Sequence, residues 1–268
     1  MAERSPVTTR EIDWGKVMET ALTMPGDVGK VYNRFHTYSK HNQVHFWEQG
    51  IREPVAKMKL WNALGRTVIR GSKAYEVYVP IFAKKDKNDP DAEPVYLRSI
   101  PVRRVFTYSQ TEGEEPPEMS IPEWDTELAL ATLGVARVPF RRNDANLQGY
   151  TRGRDIAINP FAVHPKKTLM HELGHVVLGH TAPEMMEQYE QHRGIFEFQA
   201  EATAHLTMNE LGQLTDEMAT HSRGYIQDWL RGERPPDKAI REVFTATDKI
   251  LKAGRLVTAA AINGEVQL

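Results

Sequence analysis

Cysteine is absent from the 268 residues, which excludes disulfides and every thiolate metal site and leaves His, Asp and Glu as the strong ligands. A metal in this chain therefore sits on nitrogen and oxygen. Long apolar runs are also missing: none approaches the roughly 18 residues of a membrane span, and the opening MAERSPVTTREIDWG lacks the apolar stretch of a signal peptide. A cytoplasmic protein with no membrane partner is expected. Net charge is small at −2, yet the average hides a split, because residues 1–110 carry 18 Lys and Arg against 12 Asp and Glu while the remainder carries 16 against 24. A basic front half suits a polyanion partner and equally suits a well-solvated surface.

The 40% apolar content is ordinary for a globular chain, and the length is comfortable for two domains. The segment SQTEGEEPPEMSIPEWD is acidic, carries three prolines and has neither a helical nor an alternating apolar period. It reads as a linker, placed at 111–124, between a front domain at 1–110 and a back domain at 125–268. In the front domain TTREIDWGKVMETAL, VGKVYNRFHTY and KHNQVHFWEQG have helical spacing, and Pro54 and Gly65 are expected to open and close a short helix. KAYEVYVPIFA and PVYLRSIPVRRVFTYS are rich in Val, Ile, Tyr and Phe and flank a polar KKDKNDPDAE, the pattern of a long β-hairpin. In the back domain WDTELALATLGV is a helix closed by Gly134, VPFRRND and DIAINP are short strands with LQGYTRGR turning between or into them, and four further helices begin near Pro165. The fold class is α+β: a helical front domain with a hairpin, and a back domain with a small sheet and helices.

The stretch TLMHELGHVVLGH, residues 168–180, concentrates the chemistry. His171 and His175 are four apart, so a helix puts both rings on one face, where their nitrogens converge on a single ion. Glu172 lies about 100° round the helix and reaches a metal-bound water without being a ligand, which is the HExxH arrangement of zinc peptidases. The plain alternative is a surface helix bearing two histidines. Against it, Leu169, Met170, Leu173, Val176, Val177 and Leu178 make the helix largely buried, where unpartnered histidines are costly.

A catalytic site needs a third protein ligand, with the fourth position left open. On the next helix Glu197, Glu201 and His205 recur every four residues in an alanine-rich stretch that allows close packing. HExxH peptidases that take a later glutamate commonly follow it, four residues on, with an acid that orients a ligand histidine. That pattern assigns Glu197 as ligand and Glu201 as the orienting carboxylate; the reversed assignment, and His205 as ligand, are the alternatives. His180, past Gly179 and half a turn out of phase, is expected to be a bystander. With these ligands zinc, manganese and cobalt all qualify. Glu172 would serve as general base, and His192, Tyr189, Arg223 and Tyr225 are near enough in sequence to stabilise a developing oxyanion. The strand DIAIN is either a sheet edge that pairs with an extended substrate or an ordinary sheet strand.

With these residues in hand, the chain resembles the ArdC-like antirestriction proteins of plasmids and other mobile elements, which join an N-terminal single-stranded-DNA-binding domain to a zincin-type metallopeptidase domain related to the SprT-like and ImmA/IrrE groups. The similar stretches are YSKHNQVHFWEQG, LWNALGRTVIRGSKAYEVYVPIFA and VFTYSQTEGEEPP in front, and GYTRGRDIAINP, TLMHELGHVVLGH, FEFQAEATAHL and SRGYIQDWL behind. Together they touch most of residues 30–250. Where the family usually reads YSxxNQ followed by aliphatic residues, this chain has Val44, His45, Phe46 and Trp47. The resemblance implies a zinc peptidase that binds single-stranded DNA and protects incoming DNA. For the front domain, Arg66, Arg70, Lys73, Tyr75, Arg103 and Arg104 supply the cations and aromatic face that sequence-tolerant strand binding uses, although hairpin aromatics are equally suited to a core.

Two other functions fit the same residues: a DNA-binding shield with a structural metal site, and an ImmA-like regulatory peptidase cutting one repressor. An intact Glu172 speaks against a purely structural site, and the basic front domain is unexplained by the second. The protein substrate is left open.

Overall fold

The computed structural model describes residues 12–34, 37–84, 94–116, 123–142, 144, 146–230 and 233–255, with the side chains of 84, 94, 186–190 and 227–230 left aside. The polar hairpin tip at 85–93 and the linker residues 117–122 lie outside the described set. The chain has the mixed α and β character expected, with helices and three small sheets, and divides into two compact units. One gathers residues 1–13, 31–38 and 42–119, and the other gathers 14–30, 39–41 and 120–268.

In the front unit, β1 (Val55–Lys57), β3 (Tyr75–Lys84) and β4 (Pro94–Thr107) form an antiparallel sheet in the order β1-β4-β3. Strands β2 (Arg66–Val68) and β5 (Thr111–Gly113) pair separately, so the first residues of the expected linker are a strand. Pro54 does not open a helix. Val55 and Ala56 are taken into the sheet opposite Thr107 and Phe106, and helix α4 starts only at Met58 and runs to Ala63. One buried cluster here joins Ala56, Trp61 and Phe106, with the Trp61 indole N–H donating to the Phe106 carbonyl at 2.9 Å. A buried indole keeps its donor satisfied in this way.

Helix α3 (Lys40–Glu48) closes one edge of this sheet by an unusual route. The Asn42 amide accepts from Tyr78 N–H at 2.8 Å and donates to Tyr78 O at 3.0 Å. One residue past the helix, the Gln49 amide does the same to Glu76, at 2.9 Å in both directions. Seven residues apart, the two amides sit two turns along one helical face and meet alternate residues of the β3 edge. They complete a ladder that would otherwise be an open strand edge. Much of the YSKHNQ stretch is inside: Tyr38, Lys40, His41 and Gln43 are buried, as are Val44 and Phe46 after it, and the Gln43 amide donates to Tyr38 O.

The back unit is built from α1 (Trp14–Thr23), α5 (Thr126–Leu133), α6 (Pro165–Leu178), α7 (Met186–Glu210), α8 (Asp216–Leu230) and α9 (Asp237–Ala253) around one apolar cluster that includes Leu130, Ile156, Met170, Leu173, Met208 and Ile250. Helix α1 comes from the front of the sequence yet belongs here: His205 and Asn209 of α7 bond to the Leu22 and Met24 carbonyls, and Trp14 lies against Phe244 of α9. Helix α5 starts on Asp125, whose carboxylate accepts the Leu128 N–H, and ends at left-handed Gly134.

The small sheet differs from expectation in which segments form it. VPFRRND contributes no strand; Ala136–Arg137 is β6, and the turn-like GYTR of Gly149–Arg152 is β7. Strand β8 (Asp155–Ile158) is central, parallel to β6 and antiparallel to β7. Strand β6 covers β8 at Asp155 and Ile156, so DIAIN is the interior strand, and β7 takes the edge position beside α6. Among the described residues no helix is long and apolar enough to cross a membrane.

Candidate metal centre

Helix α6 carries His171, Glu172 and His175, and α7 carries Glu197 and Glu201. What lets the two helices meet closely is Gly174. A Cβ built there would stand 3.1 Å from Ala200 Cα and 3.2 Å from Ala200 O, tighter than ordinary side-chain contact. The short glutamate side chains of α7 thereby reach the histidine rings. His171 Nε2 and His175 Nε2 are 3.1 Å apart, and the Glu197 carboxylate stands 3.4 Å from the first and 3.9 Å from the second. One ligand atom from each of the three lies within 4.8 Å of the other two, and the set is able to hold a metal ion.

The hydrogen bonds behind these atoms aim them. His171 Nδ1 is 3.1 Å from Glu201 Oε2, and a carboxylate only accepts, so Nδ1 carries a proton and Nε2 is the ring atom turned to the centre. Glu201 is itself held by Lys167 Nζ at 2.6 Å and by the Ser222 hydroxyl at 2.6 Å. Burial pushes its carboxyl up, but the His171 hydrogen bond and the Lys167 charge outweigh that and take it down to about 2. It is ionised at neutral pH.

Burial also opposes charge on His171, yet the bonds to Glu197 and Glu201 raise it to about 10. His175 is pushed the other way, down to about 3, by burial and by the neighbouring His171 charge. The pocket is therefore one that places a single positive charge among two ring nitrogens and a carboxylate. A divalent ion meets the same donors, two ring nitrogens and a carboxylate, a set that suits an ion taking nitrogen and oxygen ligands.

Glu172 is buried beside this set but faces elsewhere: Thr151 of β7 donates its hydroxyl to Glu172 Oε2. Burial raises the Glu172 carboxyl above the usual carboxylate range, opposed by the charge on His171. A carboxylate shifted upward exchanges protons more readily near neutrality. Gly149, at the start of the same strand, has no room for a Cβ, which would stand 2.8 Å from Thr168 Cγ2. That contact seats β7 against α6.

Three residues that the sequence reading passes over or sets aside belong to these surroundings. Thr151 and Ser222 are the hydroxyls just described. His180, expected to be a bystander, has Nδ1 3.0 Å from His175 Nδ1 and stacks on Phe196. Helical phase fails there because Gly179 is left-handed, and the His180 N–H returns to the His175 carbonyl at 2.9 Å. The Leu-Gly-His ending of the helix is the signal for such a turn. His205 points away to Leu22 O. His192 marks a break in α7, with φ −120° and ψ 23°, and the side chain of Tyr189 lies outside the described set.

The nucleic-acid candidates scatter. Arg66 is a correction: it is buried, its guanidinium donates to Thr111, Gly113 and Glu114 and lies over the Tyr108 ring. It fastens β2 to β5 with four hydrogen bonds from its five N–H groups. Arg70, Lys73 and Arg104 are exposed and Tyr75 is half-buried. Arg103 is exposed but paired with Glu76 at 3.1 Å. Two aromatics farther along the hairpin, Phe82 and Tyr96, are exposed and 6.0 Å apart.

No protein-family model matches the chain, and no curated protein matches it. Among solved structures the antirestriction ArdC protein of plasmid R388 is similar. Its Mn(II)-bound structure aligns over 91% of this chain and 98% of that one, with a TM-score of 0.52 at 20% identity. Its metal-free structure aligns over the same shares with a TM-score of 0.48 at 18% identity. The manganese-bound alignment, spanning nearly all of both chains, identifies the architecture described above as the ArdC fold.

Proposed function

We propose that this chain is a divalent-metal-dependent peptidase of the antirestriction type, hydrolysing peptide bonds of proteins close to single-stranded DNA. The observation that carries the reading is the convergence of His171 Nε2, His175 Nε2 and the Glu197 carboxylate next to a separate, buried Glu172 carboxylate. A structural metal site has no use for that fourth group. The likeness to a manganese-bound ArdC structure supports a divalent ion; zinc is the ion proposed, with manganese and cobalt as chemically equivalent occupants.

His171, His175 and Glu197 would hold the ion, and Glu201 would fix the His171 ring. When bound, such an ion polarises a peptide carbonyl and makes water more acidic. Glu172 takes the proton from the attacking water as its oxygen bonds to the carbonyl carbon. It then gives that proton to the departing amine nitrogen as the C–N bond breaks. Thr151, bonded to one Glu172 oxygen, orients the carboxylate and leaves its other oxygen for the transfer. The edge strand β7 is placed to pair with an extended peptide.

The DNA part of the reading rests on the exposed cations Arg70, Lys73 and Arg104 together with the exposed rings Phe82 and Tyr96. Cations that follow phosphates and rings that stack on bases are the components of sequence-tolerant strand binding. In this reading the front unit holds the strand and the back unit cuts. Glu172→Gln should retain metal and single-stranded DNA affinity and lose proteolysis of a casein or peptide-library substrate. Undiminished proteolysis by that variant would sink the mechanism. Affinity for an unlabelled-sequence oligonucleotide should fall steeply with salt; a salt-insensitive affinity would remove the DNA assignment.

A further inference from the structure

We infer that His180, Gln199 and Glu242 form a hydrogen-bond relay that fixes the tautomer of His175 and so sets the affinity of the centre for its ion. The inference rests on the reading of His175 as a metal ligand. Its direction is forced from the far end. Gln199 Nε2 stands 2.8 Å from the Glu242 carboxylate and 3.2 Å from the Ala239 carbonyl. Both of those groups only accept, so the Gln199 amide must turn its NH2 to them and its oxygen to His180. His180 Nε2, 3.1 Å from that oxygen, must then carry a proton.

A neutral imidazole with Nε2–H has its lone pair on Nδ1. That lone pair faces His175 Nδ1 at 3.0 Å, so His175 must place its own proton on Nδ1. The remaining nitrogen, His175 Nε2, is left as a lone pair on the side shared with His171 and Glu197. Each link has one allowed orientation once Glu242 is in place. Reversing any of them would bring two donors or two acceptors face to face. The ring of His180 is kept in line by stacking on Phe196, with centroids 4.4 Å apart and planes 20° from parallel.

His180 is thus a positioning residue for one ligand, as Glu201 is for the other, and the two differ in reach. Glu201 acts on His171 directly, whereas the carboxylate serving His175 is three hydrogen bonds away on α9. Gln199 and Glu201 stand two apart on α7, so one helix carries both partners on opposite sides.

The test uses the full chain and Zn(II) or Mn(II) as the probe. His180→Phe keeps a ring to stack on Phe196 but offers no acceptor, and should weaken metal binding ~10- to 100-fold, the range seen when an outer partner of a ligand histidine is removed. Glu242→Gln, at a half-exposed surface position, should weaken it by a smaller factor without disturbing the core. Imidazole nitrogen shifts of the metal-free protein report tautomers directly: His175 should be the Nδ1–H form and His180 the Nε2–H form, with His175 becoming a mixture in His180→Phe. His175→Ala separates the two readings. If it binds metal as well as the unaltered chain, the metal-site reading fails. If it loses metal while His180→Phe retains full affinity and an unchanged His175 tautomer, the relay alone is overturned. A loss in His180→Phe as complete as in His175→Ala would also overturn it, by making His180 a ligand.

Discussion

Both units contain a helix whose polar side chains form an ordered row, and the rows serve opposite ends. In the back unit the row on α6 and α7 brings two ring nitrogens and a carboxylate to a common point. In the front unit the row on α3 points its amides at the edge of β3 and uses them up. The motif YSKHNQ looks as functional in sequence as HELGH does. The difference is in what the polar groups meet: the amides beside β3 meet backbone groups, whereas those on α6 and α7 meet other side chains.

That contrast can be broken from either side. The largest effect is expected from Glu197→Ala, which should reduce metal affinity by more than the ~10- to 100-fold typical of an outer partner, with the front unit unaffected; equal losses from Glu201→Ala and Glu197→Ala would erase the distinction between ligand and orienting carboxylate. Next come Asn42→Ala and Gln49→Ala. Each leaves a backbone N–H and a carbonyl of β3 without their present partners, and should cost about 2 kcal/mol in denaturant unfolding while metal affinity stays unchanged. A loss of metal with either variant would show that the row on α3 serves the centre after all.

A third test concerns pH. Burial pushes Asp248 up to about 7, although its carboxylate accepts the Lys40 backbone N–H at 2.8 Å. An unfolded aspartate releases its proton near 3.9, so the unfolded state holds fewer protons between those values. The contribution of Asp248 to stability is therefore fully present below about pH 4 and is lost as the pH rises through about 7. Asp248→Asn keeps an acceptor for Lys40 and removes the ionisation. Relative to the unaltered chain it should gain on the order of 2 kcal/mol at pH 8 compared with pH 4; thermal unfolding showing no pH-dependent gain would contradict this. The smallest effect is at the surface. Replacing Arg70 and Lys73 by Ala should lower single-stranded DNA affinity several-fold and reduce the log–log salt slope by ~1.4, if each meets one phosphate. Arg66→Ala should instead lower stability, and an unchanged melting temperature in that variant would return Arg66 to the surface candidates.

The α6 helix and its neighbour were legible because their spacing is arithmetic on a regular helix. Four-residue repeats of His171 with His175, and of Glu197 with Glu201, remain in register through any packing that keeps the helices intact. The hairpin was legible for the same reason, its two strands being long and rich in β-branched and aromatic residues. What escaped lies where regular period ends. Gly179 turns the chain left-handed and carries His180 under His175, so helical phase misplaced it. Short segments are hard to read because two to four residues hold no period: Ala136–Arg137 and GYTR form strands where VPFRRND is expected to, while DIAI is the strand expected. Arg66 could not be distinguished from Arg70 in sequence, since one inside and one outside a turn differ only in what folds over them.

The path of the chain through the back unit has a practical consequence. Residues 14–30 and 39–41 belong to that unit, residues 31–38 and 42–119 belong to the other, and the chain returns at residue 120. In topological terms the front unit is an insertion within the back one. A fragment starting at residue 125 would therefore lack α1, and with it the carbonyls of Leu22 and Met24 that satisfy His205 and Asn209. An excision that removes 42–119 and rejoins the flanks through a short flexible bridge would keep those partners, carrying residues 31–38 along, and would give the half with the candidate metal centre.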